Sequence, residues 1–280
     1  MFASPELAAR IDRAEGRLCA GIADVVAAQS PELRSVVTPV GGGVAVFVGP
    51  GSPTNKMIGV GFEGPPDERE LDRVERAFAD RGAPLQAEVS TLADPTWHAC
   101  LVRRGYEPRG FENVLGHPLV VLAANPSLER ALPESHSIAR ATADDLTSLA
   151  DVMVEAFGAP DVGGVGGDAI PPGDELRRWF TVTMTVPGFE GIVVRVGGII
   201  AAGGFLRFDG DVAQFCGAAT LPDFRRRGLQ SALLRWRLAH ARDAGCHVAV
   251  VTTQPASKSQ ENAQRAGFHL LYARELLVKA

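Results

Sequence analysis

The sequence predicts an α/β (α+β) protein of two similarly built domains, each a twisted mixed sheet flanked by helices. Three observations lead there. Short β-branched runs alternate with stretches of helical periodicity in both halves of the chain. One fixed order of elements occurs twice. The length of 280 residues exceeds most single cores, which favours two domains. Hydrophobic residues at 46% and charged residues at 22% match an ordinary folded globular chain. The expected division is a first domain over 1–122, a linker over 123–134 rich in Pro and charge, and a second domain over 135–280.

In the first half, Ser4-Pro5 reads as a helix cap followed by proline at the first helical position. Leu7, Ile11, Leu18, Ile22 and Val25 continue at helical spacing despite Gly16 and Gly21. Three strands follow at 35–40, 43–48 and 57–62, separated by glycine or proline turns. Then come a charged helix over 67–81, a strand over 85–91, a short helix opened by Asp94-Pro95, and a strand over 106–115. In the second half, a strand over 137–141 precedes a helix over 144–157 with Leu146, Leu149, Val152 and Phe157 on its apolar side. The glycine-rich stretch 158–173 reads as a loop and a candidate lid. A helix over 174–186 leads to a hairpin of 192–196 and 199–208 around Gly197-Gly198. A strand over 212–221 and a helix over 228–244 complete the pattern.

The repeat lies in the details. Val89-Ser90-Thr91 precedes a short helix ending in Arg103-Arg104-Gly105-Tyr106, and Val251-Thr252-Thr253 precedes one ending in Arg265-Ala266-Gly267-Phe268. Pro66-Asp67 and Pro222-Asp223 each lead from a strand into a helix. Two copies of one fold explain this order.

Composition excludes several classes of function. A net charge of -5 gives no basic surface of the kind that binds nucleic acid. Cys19, Cys100, Cys216 and Cys246 lie far apart with no zinc-ligand spacing, so no metal is expected and the thiols read as reduced and mostly buried. No basic n-region with an apolar h-region opens the chain, and no uncharged apolar run spans a bilayer. A cytoplasmic protein with no membrane or nucleic-acid partner is expected. The oligomeric state is not fixed by the sequence, which is compatible with a homodimer.

Chemistry concentrates in Pro222-Asp223-Phe224-Arg225-Arg226-Arg227-Gly228-Leu229-Gln230-Ser231, between a strand and a helix. A glycine turn feeding a helix presents several backbone N–H groups at the positive end of the helix dipole. Gly228 lets a phosphate approach the backbone, and three arginines add charge. The competing reading is a solvated basic turn. A triphosphate site is disfavoured, because Arg225-x-x-Gly228 lacks the Gly-Lys-[Ser/Thr] that magnesium and triphosphate require.

The segment 213–268 closely resembles the GNAT superfamily of N-acetyltransferases. The resemblance rests on Thr220-Leu221-Pro222, Arg225-x-x-Gly228-x-Gln230 and Gly267-Phe268 in order, with Ile138-Ala139-Arg140-Ala141-Thr142-x-x-Asp145-Leu146 opening the same half. It implies two GNAT-like domains and a cosubstrate, acetyl-CoA or another acyl-CoA, entering between two splayed strands. Backbone groups of Ala218, Ala219 and Thr220 would pair with the pantetheine arm. The turn from Arg225 through Arg226, Arg227, Gly228, Leu229 and Gln230 to Ser231 would hold the pyrophosphate. Gln230 replaces the usual Gly or Ala, so its side chain must turn away from the phosphates or contact them.

Other departures bear on catalysis. The family's asparagine and tyrosine before the terminal Gly-Phe fall on Ala256 and Ala263, so the usual general acid is missing. Ser259 and Asn262 are the polar residues best placed to reach the thiol end of the cofactor, although Asn262 and Arg265 read equally well as structural. Ser257-x-x-Gln260 has the form of a capping box. Where some relatives carry a glutamate this chain has Phe215, which leaves Glu155 as the leading candidate base, against the plainer reading of an exposed helix carboxylate. Cys216 reads as a buried thiol, since the resemblance implies direct transfer.

The first copy carries Asp67-Glu68-Arg69-Glu70-Leu71 where the second has its basic turn, and Trp97 and Leu101 where the second has Ser259 and Ala263. Carboxylates and bulk there predict a degenerate copy that does not bind CoA. The expected activity is transfer of an acetyl or similar short acyl group to a primary amine of a small molecule or peptide. The alternative from another class is a non-catalytic acyl-CoA-binding sensor or scaffold.

Overall fold

The computed structural model describes residues 1–119, 133, 135–159 and 173–280. The linker over 123–134, apart from Pro133, and nearly all of the glycine-rich stretch lie outside the described residues. The chain divides into two compact units, Phe2–Val114 with Leu271–Ala280, and Leu115–Leu270. The fold is mixed α/β, as the alternation of signals required.

The first unit opens with α1 (Pro5–Gln29), whose Ser4 hydroxyl accepts from the Leu7 amide. Strands β1 (Val36–Val40), β2 (Gly43–Phe47) and β3 (Lys56–Ile58) form an antiparallel meander. The third is shorter than its apolar run because Gly59 and Gly61 adopt φ of 76° and 82° and end it. Helix α2 (Glu68–Ala79), capped by Asp67, crosses to β4 (Leu85–Ser90), which pairs in parallel with β3. Helix α3 (Thr96–Arg103) and β5 (Glu107–Pro118) follow. One face of the sheet buries Val40, Phe47, Met57, Leu71, Val74, Phe78, Trp97 and Leu101 in a single core.

The second unit contains β6 (His136–Arg140), α4 (Leu146–Gly158), α5 (Gly173–Thr183), β7 (Phe189–Val196), β8 (Ile199–Asp209) and β9 (Val212–Thr220). Strands β6 to β9 pair antiparallel in sequence order. The β7–β8 hairpin turns on Gly197 and Gly198, at φ of 58° and 85°, as a tight two-residue loop with both positions left-handed requires. Helix α6 (Leu229–Asp243) leads to β10 (Val248–Thr253), parallel to β9, and α7 (Lys258–Arg265) to β11 (His269–Lys279). Helix α4 lies so close to the sheet that a Cβ on Gly203 would stand 2.2 Å from Leu149 Cδ1.

The repeat is visible in local geometry. Helices α3 and α7 have equal length, each ends on a glycine with φ near 90°, and the next aromatic amide bonds back identically, Tyr106 N to Leu101 O and Phe268 N to Ala263 O, both at 3.1 Å.

The compact units do not coincide with 1–122 and 135–280. The chain leaves the first unit inside β5, where Leu115 and Leu119 join Phe215, Leu234, Leu238 and Phe268 in the core of the second. It returns inside β11, where residues 274–279 pair antiparallel with β4. The fixing interaction is electrostatic. Arg274, fully buried, donates to Asp12 (2.6 and 3.0 Å), Glu15 (2.6 Å) and Glu88 (3.3 Å), and Lys56 bridges Glu15 and Glu88 at 2.6 and 3.0 Å. Tyr272 donates its hydroxyl to Asp12. Burial alone would neutralise these groups, but the paired charges hold Glu15 down at about 2 and raise Lys56 and Arg274 well above their usual values.

Candidate active site

The site begins with a break in the sheet. Strands β9 and β10 pair only through Val212↔Val248, Ala213↔Ala249 and Gln214↔Val250, although both run on, to Thr220 and Thr253. The register between β8 and β9 shifts at this point: Phe205 faces Cys216, Gly204 faces Ala218, and Gly217 is left over as a bulge at φ 42°. Gly204 must lack a side chain, because a Cβ there would sit 2.9 Å from Gly217 O and 3.2 Å from the Ala218 Cβ. Beyond the bulge, Ala218, Ala219 and Thr220 pair with β8 on one side and, among the described residues, leave the other edge without a strand partner. Across the gap, the Thr253 hydroxyl is sealed from solvent and has no hydrogen-bond partner among the described residues. A free strand edge of this kind suits an extended chain of amides.

The gap ends on the basic turn. Pro222–Phe224 forms one 3-10 turn, Arg225 is extended, Arg226 takes φ 61° and Gly228 φ 81°. A bulky residue in the left-handed region is uncommon, and such strain collects at ligand-binding turns. Among the described residues no side chain caps α6 and none bonds the amides of Leu229, Gln230 and Ser231 in its first turn. Together with Gly228 they form a concave nest of N–H groups at the positive helix end.

The arginines divide their work. Arg225 is an internal tie: its Nε donates to Thr220 O (3.2 Å), and one terminal nitrogen donates to the carbonyls of Ala156 (3.1 Å) and Ala159 at the C-terminal end of α4. It joins the end of β9 to α4 instead of facing an anion. Arg227 lies on the Phe224 ring, 5.0 Å from its centroid, and donates to Asp223 O at 2.8 Å. Arg226 and Arg227 are exposed and complete the basic rim. Gln230 turns back, with its Oε1 3.5 Å from the Thr220 hydroxyl, which leaves the nest open.

The proposed catalytic pair is not assembled. Ser259 is exposed on α7 and Glu155 is exposed on α4, and neither forms a side-chain hydrogen bond among the described residues. Asn262 is half-buried. Ala263 is 3% exposed and packs in the cluster that holds Phe215 and Phe268. The Ser257 hydroxyl accepts from the Gln260 amide, the structural role its spacing implied. Three of the four cysteines are buried, while Cys216, beside the bulge, is partly exposed.

Two residues escaped the sequence reading. Gly217 interrupts an apolar strand, the pattern that marks a bulge. Arg237 stands among Leu233, Leu234, Leu238 and Ala241 on the buried stripe of α6, where a charge is out of place. It is 3% exposed, donates to Phe205 O at 3.1 Å and lies 4.7 Å from the Phe215 centroid. Its Nε has no partner and no carboxylate pairs with it among the described residues. Burial pulls its pKa down to about 10.

A splayed strand edge running into an uncapped basic helix turn is matched by family comparison, since residues 167–268 fit the model of the acetyltransferase (GNAT) family. The match covers 102 of the 280 residues, all in the second half of the chain. That family transfers acyl groups from acyl-CoA to amines. Solved structures agree on the fold across both units. A GCN5-related N-acetyltransferase from Kribbella flavida matches at 18% identity and TM-score 0.60, covering 92% of this chain and 95% of that one. A tandem GNAT protein from the clavulanic acid biosynthesis pathway matches at 12% identity and TM-score 0.56, with coverage of 84% and 73%. A GCN5-related N-acetyltransferase from Sphaerobacter thermophilus matches at 15% and 0.56, with coverage of 76% and 67%. No curated protein matches the chain. Among the described residues, no helix is long and apolar enough to cross a membrane.

The first unit is closed where the second is open. Asp94 N donates to Gly61 O at 2.8 Å, tying the chain after β4 to the chain after β3, and the Trp97 indole donates to Gly64 O at 3.0 Å. Gly41 and Gly61 exist to admit that ring, since a Cβ on either would stand 2.2 or 2.9 Å from it. The N-terminal turn of α2 is capped by Asp67, which accepts from the Arg69 amide, and carries Glu70, which accepts from the Gly41 amide, both at 2.8 Å.

Proposed function

We propose that this chain is an acyl-CoA-dependent N-acyltransferase that moves an acetyl or other short acyl group to a primary amine of a small molecule or peptide. The unit Leu115–Leu270 binds the donor. The observation that carries this reading is the continuous path from the free edge of Ala218–Ala219–Thr220 to the uncapped nest of Arg226–Arg227–Gly228–Leu229–Gln230–Ser231. The edge matches the amides of a pantetheine arm, and the nest matches a pyrophosphate. In the transfer, the amine nitrogen forms its bond to the acyl carbon, the carbon–sulfur bond breaks with its electrons on sulfur, and the nitrogen gives up its proton. A thiol of ordinary pKa near 8.5 leaves readily enough that an acid is helpful but dispensable. Exposed Ser259 or a water it holds is the group proposed to serve the thiolate, and Glu155 is the candidate base. The first unit is proposed as a degenerate copy without a donor site, since Trp97 and the Asp94–Gly61 bond occupy the gap and the Asp67 carboxylate caps the helix turn.

The alternative of an acyl-CoA-binding sensor draws support from Ala263, which cannot donate a proton, and from the absence of an assembled base. Turnover separates the two. Acetyl-CoA is expected to raise the melting temperature of the full chain, and a library of primary amines assayed by release of free thiol should reveal an acceptor. Binding without thiol release for any amine would favour the sensor, and no binding at all would remove both.

A further inference from the structure

Arg237 is the most anomalous charge in the second unit. A guanidinium carries five donors and is normally paired when buried. Here a single carbonyl, Phe205 O, accepts from it at 3.1 Å, Nε has no partner, and no carboxylate neutralises it among the described residues. Its neighbours on α6 are Leu233, Leu234, Leu238 and Ala241. Removing this charge from water is costly, and a leucine would pack there without that cost.

Its position is particular. Phe205 is the residue at which the β8–β9 register shifts, and Phe215, whose ring the guanidinium covers, adjoins the fork where β9 and β10 part. One terminal nitrogen lies 3.2 Å from where a Gly204 Cβ would be, and Gly217 O and the Ala218 Cβ crowd the same point. The charge thus sits directly beneath the bulge. Of the groups that face it, from β8 come Gly204 and Phe205, and from β9 come Phe215 and Cys216, of which only Cys216 titrates. Even with its pKa lowered to about 10, Arg237 stays cationic between pH 7 and 9.

We propose that Arg237 is a positioning residue whose buried charge stabilises the thiolate left at the fork when the acyl group departs, a role the chain cannot fill by proton donation from position 263. This inference rests on the donor reading of the cleft. An unscreened cation in an apolar surrounding acts over several ångströms, where a solvated one would not. The carbon–sulfur electron pair passes to sulfur, and the field of Arg237 lowers the proton affinity of that sulfur without a proton being transferred.

The test uses the full chain, with calorimetric titration of CoA and of desulfo-CoA, which lacks the thiol, from pH 6.5 to 9.5. The affinity ratio of the two is expected to rise about tenfold across this range in favour of CoA. The rise should begin at least one unit below the pKa that free CoA shows in titration and level off at that pKa. In Arg237→Met the ratio should become nearly independent of pH, with desulfo-CoA affinity within threefold of the parent. Arg237→Lys, which keeps the charge, should retain most of the rise. A ratio independent of pH in the parent protein, or a rise as large as the parent's in Arg237→Met, would overturn the proposal. If Arg237→Met loses desulfo-CoA as well, Arg237→Lys decides: binding with a pH-independent ratio is the refuting result. Binding of neither ligand by the parent protein would instead remove the donor reading, and this inference with it.

Discussion

Arg274→Met should destabilise the first unit by about 3–5 kcal/mol, because it breaks a fully buried charge network instead of replacing it. The guanidinium donates to Asp12, Glu15 and Glu88, and after its loss Lys56 is left to neutralise carboxylates of which Asp12 and Glu88 are 0% and 2% exposed. For a unit of this size that loss lowers the melting temperature by roughly 10–20 °C. The sign of the pH dependence is a second check. In the parent protein Glu15 is held at about 2, so its contribution is full above the unfolded value of 4.5 and is lost as pH falls toward 2. In the variant the same carboxylates face burial without their partner, their folded pKa rises, and the deficit grows as pH climbs above 4.5. The difference between variant and parent should therefore be small near pH 4 and large at pH 8. Urea unfolding followed by circular dichroism, with hydrogen exchange of the β4 amides that pair with β11, would measure both. A loss under 1 kcal/mol at pH 8, or one that shrinks as pH rises, would refute the reasoning.

Three further outcomes are expected. Gly228→Val should weaken CoA binding at least tenfold, about 1.4 kcal/mol, in calorimetry. A Cβ there meets nothing within 4 Å among the described residues, so the fold should lose only the left-handed strain of about 1–3 kcal/mol, and an unchanged affinity in a folded variant would place the pyrophosphate elsewhere. Ser259→Ala should lower kcat roughly tenfold with acetyl-CoA affinity nearly intact, and wild-type turnover across pH 6 to 9 would show that no protein acid acts through this position. Glu112, whose Oε2 is sealed and has no partner among the described residues, is pushed up to about 8 by burial and by Glu88. Since its folded value exceeds the unfolded one, it destabilises progressively as pH rises from about 4.5 to 8, so Glu112→Gln should raise the urea midpoint at pH 9 and much less at pH 5.

Much of this was legible in the residues. Periodicity and capping signals located the helices and most strands, because Ser4 and Ser257 act as the local caps their positions suggest. The glycine turn at the head of α6 was legible because Gly228 and the first helix amides follow from local geometry alone. What could not be seen is set by tertiary context. Nothing in the sequence of β11 announces that Arg274 answers Asp12, since the two are joined only by folding. Arg225 and Arg227 look alike in sequence, yet one ties α4 to β9 and the other rims the nest, a distinction that depends on where the carbonyls of Ala156 and Ala159 lie. Gln230 could face either way until its contact with Thr220 was known. Gly217 and Arg237 were legible in principle, one as a glycine within an apolar strand and the other as a charge on an apolar stripe.

The passage of the chain between units within β5 and β11 bears on how the protein is made. Residues 271–279 emerge only after 115–270 have been translated, which at about 5–20 residues per second takes on the order of ten to thirty seconds. Through that interval β4 lacks its neighbour, and Asp12, Glu15, Glu88 and Lys56 lack Arg274. The portion synthesised first is thus the one that finishes later, and a ribosome-bound nascent chain should show the second unit's core beginning to form, around Leu115 and Phe215, while the first is still open to a chaperone.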